Sequence, residues 1–175
     1  MKFWNFIFTL FCFPISAVVV AGQTSPPAVA QCRIRCTVSS VVEWSDAFFQ
    51  EIDLGELNIK NKTAAGETSL TLYTNGDVII TADNSPSAKL SYGSYALQTE
   101  YQLKCDGTGL GQTGAKPTQW CTYDTFLKEP AEIIHNPADG AVVVILSVKA
   151  SVADIHKDNT GEYNAIQTLT ACWKS

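Results

Sequence analysis

The sequence has no internal repeat, no stripe of Lys and Arg, and no helical period held for about ten residues. The first absence excludes solenoid and propeller arrays, and the last leaves strands as the main regular structure. A formal net charge of −5 with scattered basic residues argues against a nucleic-acid partner. Catalytic and metal-binding sets are missing as well. Glu43 and Asp46 flank Trp44, as the acids of a sugar hydrolase flank an aromatic, but with no partner in view they read as solvated acids at a strand end. His135 has no base or nucleophile beside it. The Gly-rich loop 106–114 lacks the Lys-Ser/Thr that a phosphate loop needs. Cys32-x3-Cys36 has no second close pair and no nearby histidine, so zinc is the weaker reading. Asp154, Asp158, Asn159 and Glu162 have ligand-like spacing, yet His156 and Lys157 sit where a calcium loop would want further oxygens. No catalytic residue, cofactor or metal is therefore expected.

Met1 and Lys2 precede an apolar run over 3–21, followed by small residues and Gln23-Thr24-Ser25-Pro26-Pro27. That layout is a secretory signal peptide. A membrane anchor is the competing reading, because the run is long enough to span a bilayer. Cleavage fits after Gly22, or as late as Ala30, where Ala28-Val29-Ala30 meets the small-x-small rule. The expected division is 1–22 as signal, 23–31 as a short Pro-containing segment and 32–175 as one domain able to bury a core. No membrane attachment is expected once the signal is removed. Cys12 leaves with the signal, whereas Cys32, Cys36, Cys105, Cys121 and Cys172 remain. In an exported chain these read as disulfides with one cysteine left over. Cys105 with Cys121 would clamp the Gly-rich loop at its base, worth ~3 kcal/mol in the chain-entropy model. Cys172 is expected to pair with Cys36, or alternatively with Cys32.

Strand signals run the length of the chain. Asn75-Gly76, between 68–74 and 77–82, predicts a two-residue hairpin with Tyr73 opposite Val78 and Leu72 opposite Ile79. Ile34, Cys36, Val38, Val42 and Trp44 recur with period two, which predicts a strand burying one face. Short strands are expected at 52–57, 89–92, 99–105 and 131–135, and a closing one at 163–173. The β-branched run 141–152 should be the most buried. Trp120, Tyr123 and Phe126 form an aromatic-dense stretch that would stack on a sugar if exposed and fill a core if buried. Roughly eight to ten strands separated by turn signals give an all-β fold, an antiparallel immunoglobulin-like β-sandwich.

Ile52-Asp53-Leu54-Gly55, Glu100-Tyr101-Gln102-Leu103 and the stretch 159–170, with its Gly-x-Tyr-x-x-x-x-x-Leu spacing from Gly161 to Leu169, resemble secreted bacterial β-sandwich proteins of the spore-coat-U and fimbrial-subunit type. The resemblance implies a noncatalytic structural protein, secreted, periplasmic or at the cell surface, whose partners are itself or other surface proteins. It also suggests a subunit of an appendage or coat. Relatives that polymerise by strand donation carry an alternating apolar N-terminal extension. In 23–31 the pair Pro26-Pro27 cannot sit in a regular central strand. The second reading is a carbohydrate-binding module that uses Trp120, Tyr123 and Phe126 on glycans.

Overall fold

The computed structural model describes residues 27–105, 118–135 and 140–175. The signal segment 1–22 and the Gly-rich loop 106–114 lie outside them. Contacts divide the chain into two units, 1–37 and 38–175. Within the first, residues 27–37 form neither helix nor strand and are exposed.

The second unit is built around the β-branched run, which forms β9 (Ala141–Ser151). A strand hydrogen-bonded on both edges favours such residues, because they pack well on a pleated, covered surface. β9 pairs antiparallel with β2 (Thr63–Thr74) through eleven registered positions and with β6 (Gln98–Cys105) on its other side. β1 (Val42–Trp44) and β7 (Cys121–Thr122) complete a five-stranded sheet in the order β1-β2-β9-β6-β7. A second sheet holds three strands, β10 (Leu169–Trp173), β3 (Val78–Ala82) and β8 (Ala131–Ile133), in the order β10-β3-β8. A small hairpin pairs β4 (Ser91–Tyr92) with β5 (Tyr95–Ala96), its turn helped by Gly93 at φ +57°. Leu72, Leu103, Val142, Val144 and Leu146 from the large sheet meet Val78, Ile80 and Ile133 from the small one in a single buried cluster. The all-β sandwich expected from the strand spacing is the observed architecture.

Three expectations are corrected. Asn75-Gly76 does not close a hairpin: β2 and β3 lie in different sheets, so the pair is a corner between layers. Leu72 faces Trp44 and Val142, whereas Ile79 faces Cys172 and Glu132. Neither Asn75 nor Gly76 is at positive φ, which a type I′ turn would require of both. The Asn75 side chain instead accepts from the Val41 N–H at 2.9 Å and donates to the Ser39 carbonyl at 2.9 Å, tying the corner to the start of β1. Second, of the alternating stretch 32–44 only β1 finds a sheet neighbour, and Ile34 and Val38 remain exposed. Third, 52–57 joins no ladder, and the closing strand begins only at Leu169.

Candidate functional site: an open apolar cleft

The sheets are unequal, five strands against three, and where the small sheet ends a cleft of about 970 Å³ lies over the large one. Its floor is apolar: Leu70 from β2, Tyr101 from β6, and Leu146, Val148 and Ala150 from β9. One wall is the irregular stretch 46–57, which turns at Gly55 (φ +67°). It lies close against β2 because Gly66 has no side chain, and a Cβ there would sit 2.5 Å from the Ile52 methyl and 3.2 Å from Leu54. Trp44 and Phe49 meet edge to face at 5.7 Å and anchor its start. From 48 to 54 no backbone group has a hydrogen-bond partner among the described residues.

The other wall, 159–169, leaves a 3-10 turn at Lys157–Asn159 and leads into β10, and between 164 and 168 its backbone uses one edge. The Asn164 N–H and C=O bond Ser91, the Ile166 N–H donates to the Ser87 carbonyl at 2.8 Å, and the Thr168 carbonyl accepts from Asp83 at 2.9 Å. Alternate residues of an extended chain turn their backbone groups to opposite sides. The backbone groups of Tyr163, Ala165 and Gln167 thus form the opposite edge, and they have no backbone partner among the described residues. Gln167 fixes this wall by donating its side-chain amide to the Asp83 carbonyl at 3.0 Å. Asp83 is itself held by Ser85, whose N–H and hydroxyl hold its carboxyl below the usual carboxylate range. Tyr163 donates its hydroxyl to the Asn159 carbonyl and lies 5.8 Å from Tyr92, whose ring rests on Gly161. Burial, the first cause, and the nearby Tyr95 and Tyr92 push the Tyr163 hydroxyl up.

The cleft has one sign of charge. Asp46, Glu51, Asp53, Glu56 and Glu162 line it, and no Lys, Arg or His stands among its described lining residues. The arrangement offers an apolar floor, backbone donors and acceptors without backbone partners among the described residues along one wall, and a carboxylate rim. Such a surface suits the uptake of an extended peptide.

The residues singled out from the sequence are dispersed. Phe126 is fully buried, its ring 5.4 Å from that of Tyr101, so it belongs to the core and not to a stacking platform. Trp120 is half-buried beneath the Lys149 ammonium at 4.9 Å, and Tyr123 is half-buried with the Lys89 ammonium 5.5 Å from its ring. All five described cysteines are free thiols. The clamp expected between Cys105 and Cys121 is not made. Cys121 lies opposite Tyr101 in the β6–β7 register, four positions from Cys105 along β6. That offset is ~13 Å of strand, against the ~7 Å limit for bridged Cα atoms. Burial pushes the Cys105 thiol up to about 12. Cys172 is exposed opposite Ile79, and Cys32 and Cys36 are exposed in the first unit. Glu43 stands opposite Tyr73, while Asp46 lines the cleft and accepts from the Ala47 N–H. Asp154 and Asp158 are exposed, and no metal-ligating cluster of three occurs among the described residues. Nothing in the sequence marks the walls as a site. Their signal was the alternation of Ile52 with Leu54 and of Tyr163, Ala165, Gln167 and Leu169, which reads equally as ordinary paired strands.

No protein-family model matches the chain, and no curated protein matches it. Among solved structures, a chain from a structure described as that of a chaperone-usher pilus matches with a TM-score of 0.44 and 14% identity, over 87% of this chain and 99% of that one. A likeness at that level does not assign this chain to a family.

Proposed function

We propose that this chain is an exported, noncatalytic structural protein of a cell-surface assembly, and that its cleft takes up an extended apolar segment of another subunit. The observation that carries the reading is the free strand edge at Tyr163, Ala165 and Gln167 beside the apolar floor of Leu70, Val148 and Ala150. Exposed strand edges are templates for pairing, and monomeric proteins ordinarily blunt or cover them. An inserted strand would satisfy the idle backbone groups and place every second side chain on the floor. Assembly of this kind needs no reaction, cofactor or metal. The purified, processed chain is expected to give a concentration-dependent ladder on native gels. Ala165→Pro removes one N–H from the unused edge and no existing hydrogen bond, so it should reduce the ladder while leaving the circular dichroism spectrum unchanged. A wild-type chain that runs as one monomeric band at every concentration overturns the reading.

A further inference from the structure

Four aromatic rings meet on the surface at the β4–β5 hairpin, and three of them, Tyr92, Tyr95 and His156, are not part of the cleft lining. Tyr92 and Tyr95 are directly opposed in the hairpin, so both side chains leave it on one face. Gly93 at φ +57° permits the tight turn between them, and the bridge from Ser91 to Asn164 ties the hairpin to the chain beyond Gly161. The Tyr92 ring lies over Gly161, where any Cβ would overlap it, and 5.8 Å from the Tyr163 ring. The Tyr95 ring meets the His156 ring edge to face at 6.0 Å. The rings are held in place and still open to solvent: Tyr92 is 44% exposed, Tyr95 is 37% exposed, His156 is exposed and Tyr163 is half-buried. Trp120 and Tyr123 differ, because a lysine ammonium lies over each of those rings.

We propose that this cluster is a glycan-binding site whose ligand is a soluble, neutral oligosaccharide. Each ring joins an apolar face to a polar atom, a phenol oxygen or an imidazole nitrogen. A sugar presents the matching pair, a C–H face and a rim of hydroxyls. Asp154 and Asp158 flank His156 in the chain, and Glu162 precedes Tyr163; all three are exposed and can accept from those hydroxyls. Lys157 is the one base among them, so the local charge repels sulfated, sialylated or phosphorylated ligands. The rings are tilted, at 55° between Tyr92 and Tyr163 and 74° between Tyr95 and His156, and offer no flat platform for a crystalline polysaccharide. A purely apolar partner fits poorly, since it would take water from the hydroxyls and carboxylates without replacing their hydrogen bonds. The site is independent of strand uptake by the cleft.

The test is a glycan array carrying neutral, sulfated and sialylated oligosaccharides, probed with the labelled, processed chain. Isothermal titration with the best-bound neutral oligosaccharide follows. Neutral glycans are expected to lead the array. Tyr95→Ala, at a position outside both the buried cluster and the cleft lining, should weaken binding about tenfold, and Tyr92→Ala should do the same. Tyr95→Phe keeps the ring face and should retain most of the affinity. Gly161→Ala should also weaken binding, because it displaces the Tyr92 ring while removing no ring or hydroxyl. Circular dichroism checks the fold of each variant. An array on which no neutral glycan binds, or on which acidic glycans bind best, overturns the proposal. Neutral-glycan binding undiminished in folded Tyr92→Ala and Tyr95→Ala overturns it as well. Each of these results leaves strand uptake standing, and a chain that gives no ladder on native gels leaves the glycan site standing.

Discussion

Phe126 sits in the turn after β7 and is fully buried; Leu127 beside it is buried too and is held at φ 50°. The aromatic density of 120–127 is legible in the sequence, but which rings go inward depends on that backbone turn, and no local pattern announces it. Phe126→Ala should cost about 3–5 kcal/mol, read from urea unfolding midpoints, because the cavity would lie against Tyr101. Tyr101 donates its hydroxyl to the Ala88 carbonyl at 2.7 Å, and burial pushes its pKa up to about 12. Burial does the same to Cys105. Both groups hold their protons in the folded state at pH values where the unfolded chain has released them. Their contribution is therefore full below pH ~9 and is lost as pH rises toward the folded values. Thermal unfolding followed from pH 8 to 11 should show stability level to about pH 9 and falling above it. Tyr101→Phe should flatten the part of the fall above pH ~10 at the cost of about 1 kcal/mol for the lost hydrogen bond.

At the scale of elements, β9, β6 and the apolar runs of β2 and β3 follow from period and composition, but their partners do not. Asn75-Gly76 illustrates the gap. The dipeptide is equally suited to a hairpin and to a corner, and what decides is remote: the Asn75 side chain is occupied by Ser39 and Val41, and the Trp173 ring lies over Gly76. A Cβ at Gly76 would fall 2.5 Å from that ring. Gly76→Ala should therefore displace the Trp173 ring, with a change in tryptophan fluorescence and about 1–3 kcal/mol of destabilisation. Gly66 does comparable service for the cleft, since its missing side chain is the seat of Ile52 and Leu54. Gly66→Ala should loosen that wall, and the measurement is limited proteolysis, with faster cleavage within 48–54 and amide exchange in β9 unchanged. Cleavage of the variant at the wild-type rate would mean that the wall does not depend on this contact.

For the molecule as a whole, all-β character and a two-layer architecture are visible in strand spacing, whereas an incomplete second layer is not. Alternation reports that a segment has an apolar face and says nothing about whether the chain itself covers that face. Both the Ile34 and Val38 stretch and the closing segment before Leu169 alternate as ordinary strands do, and each lacks a neighbour among the described residues on a side where the pattern asks for one. A fold completed by a second molecule has a stability tied to concentration, because binding to the folded state alone stabilises it by RT ln(1 + [L]/Kd), about 2.7 kcal/mol at a hundredfold excess over Kd. Calorimetric unfolding of the processed chain should give a Tm that rises with protein concentration and levels off near saturation. A concentration-independent Tm would mean that the sandwich is stable with its cleft open.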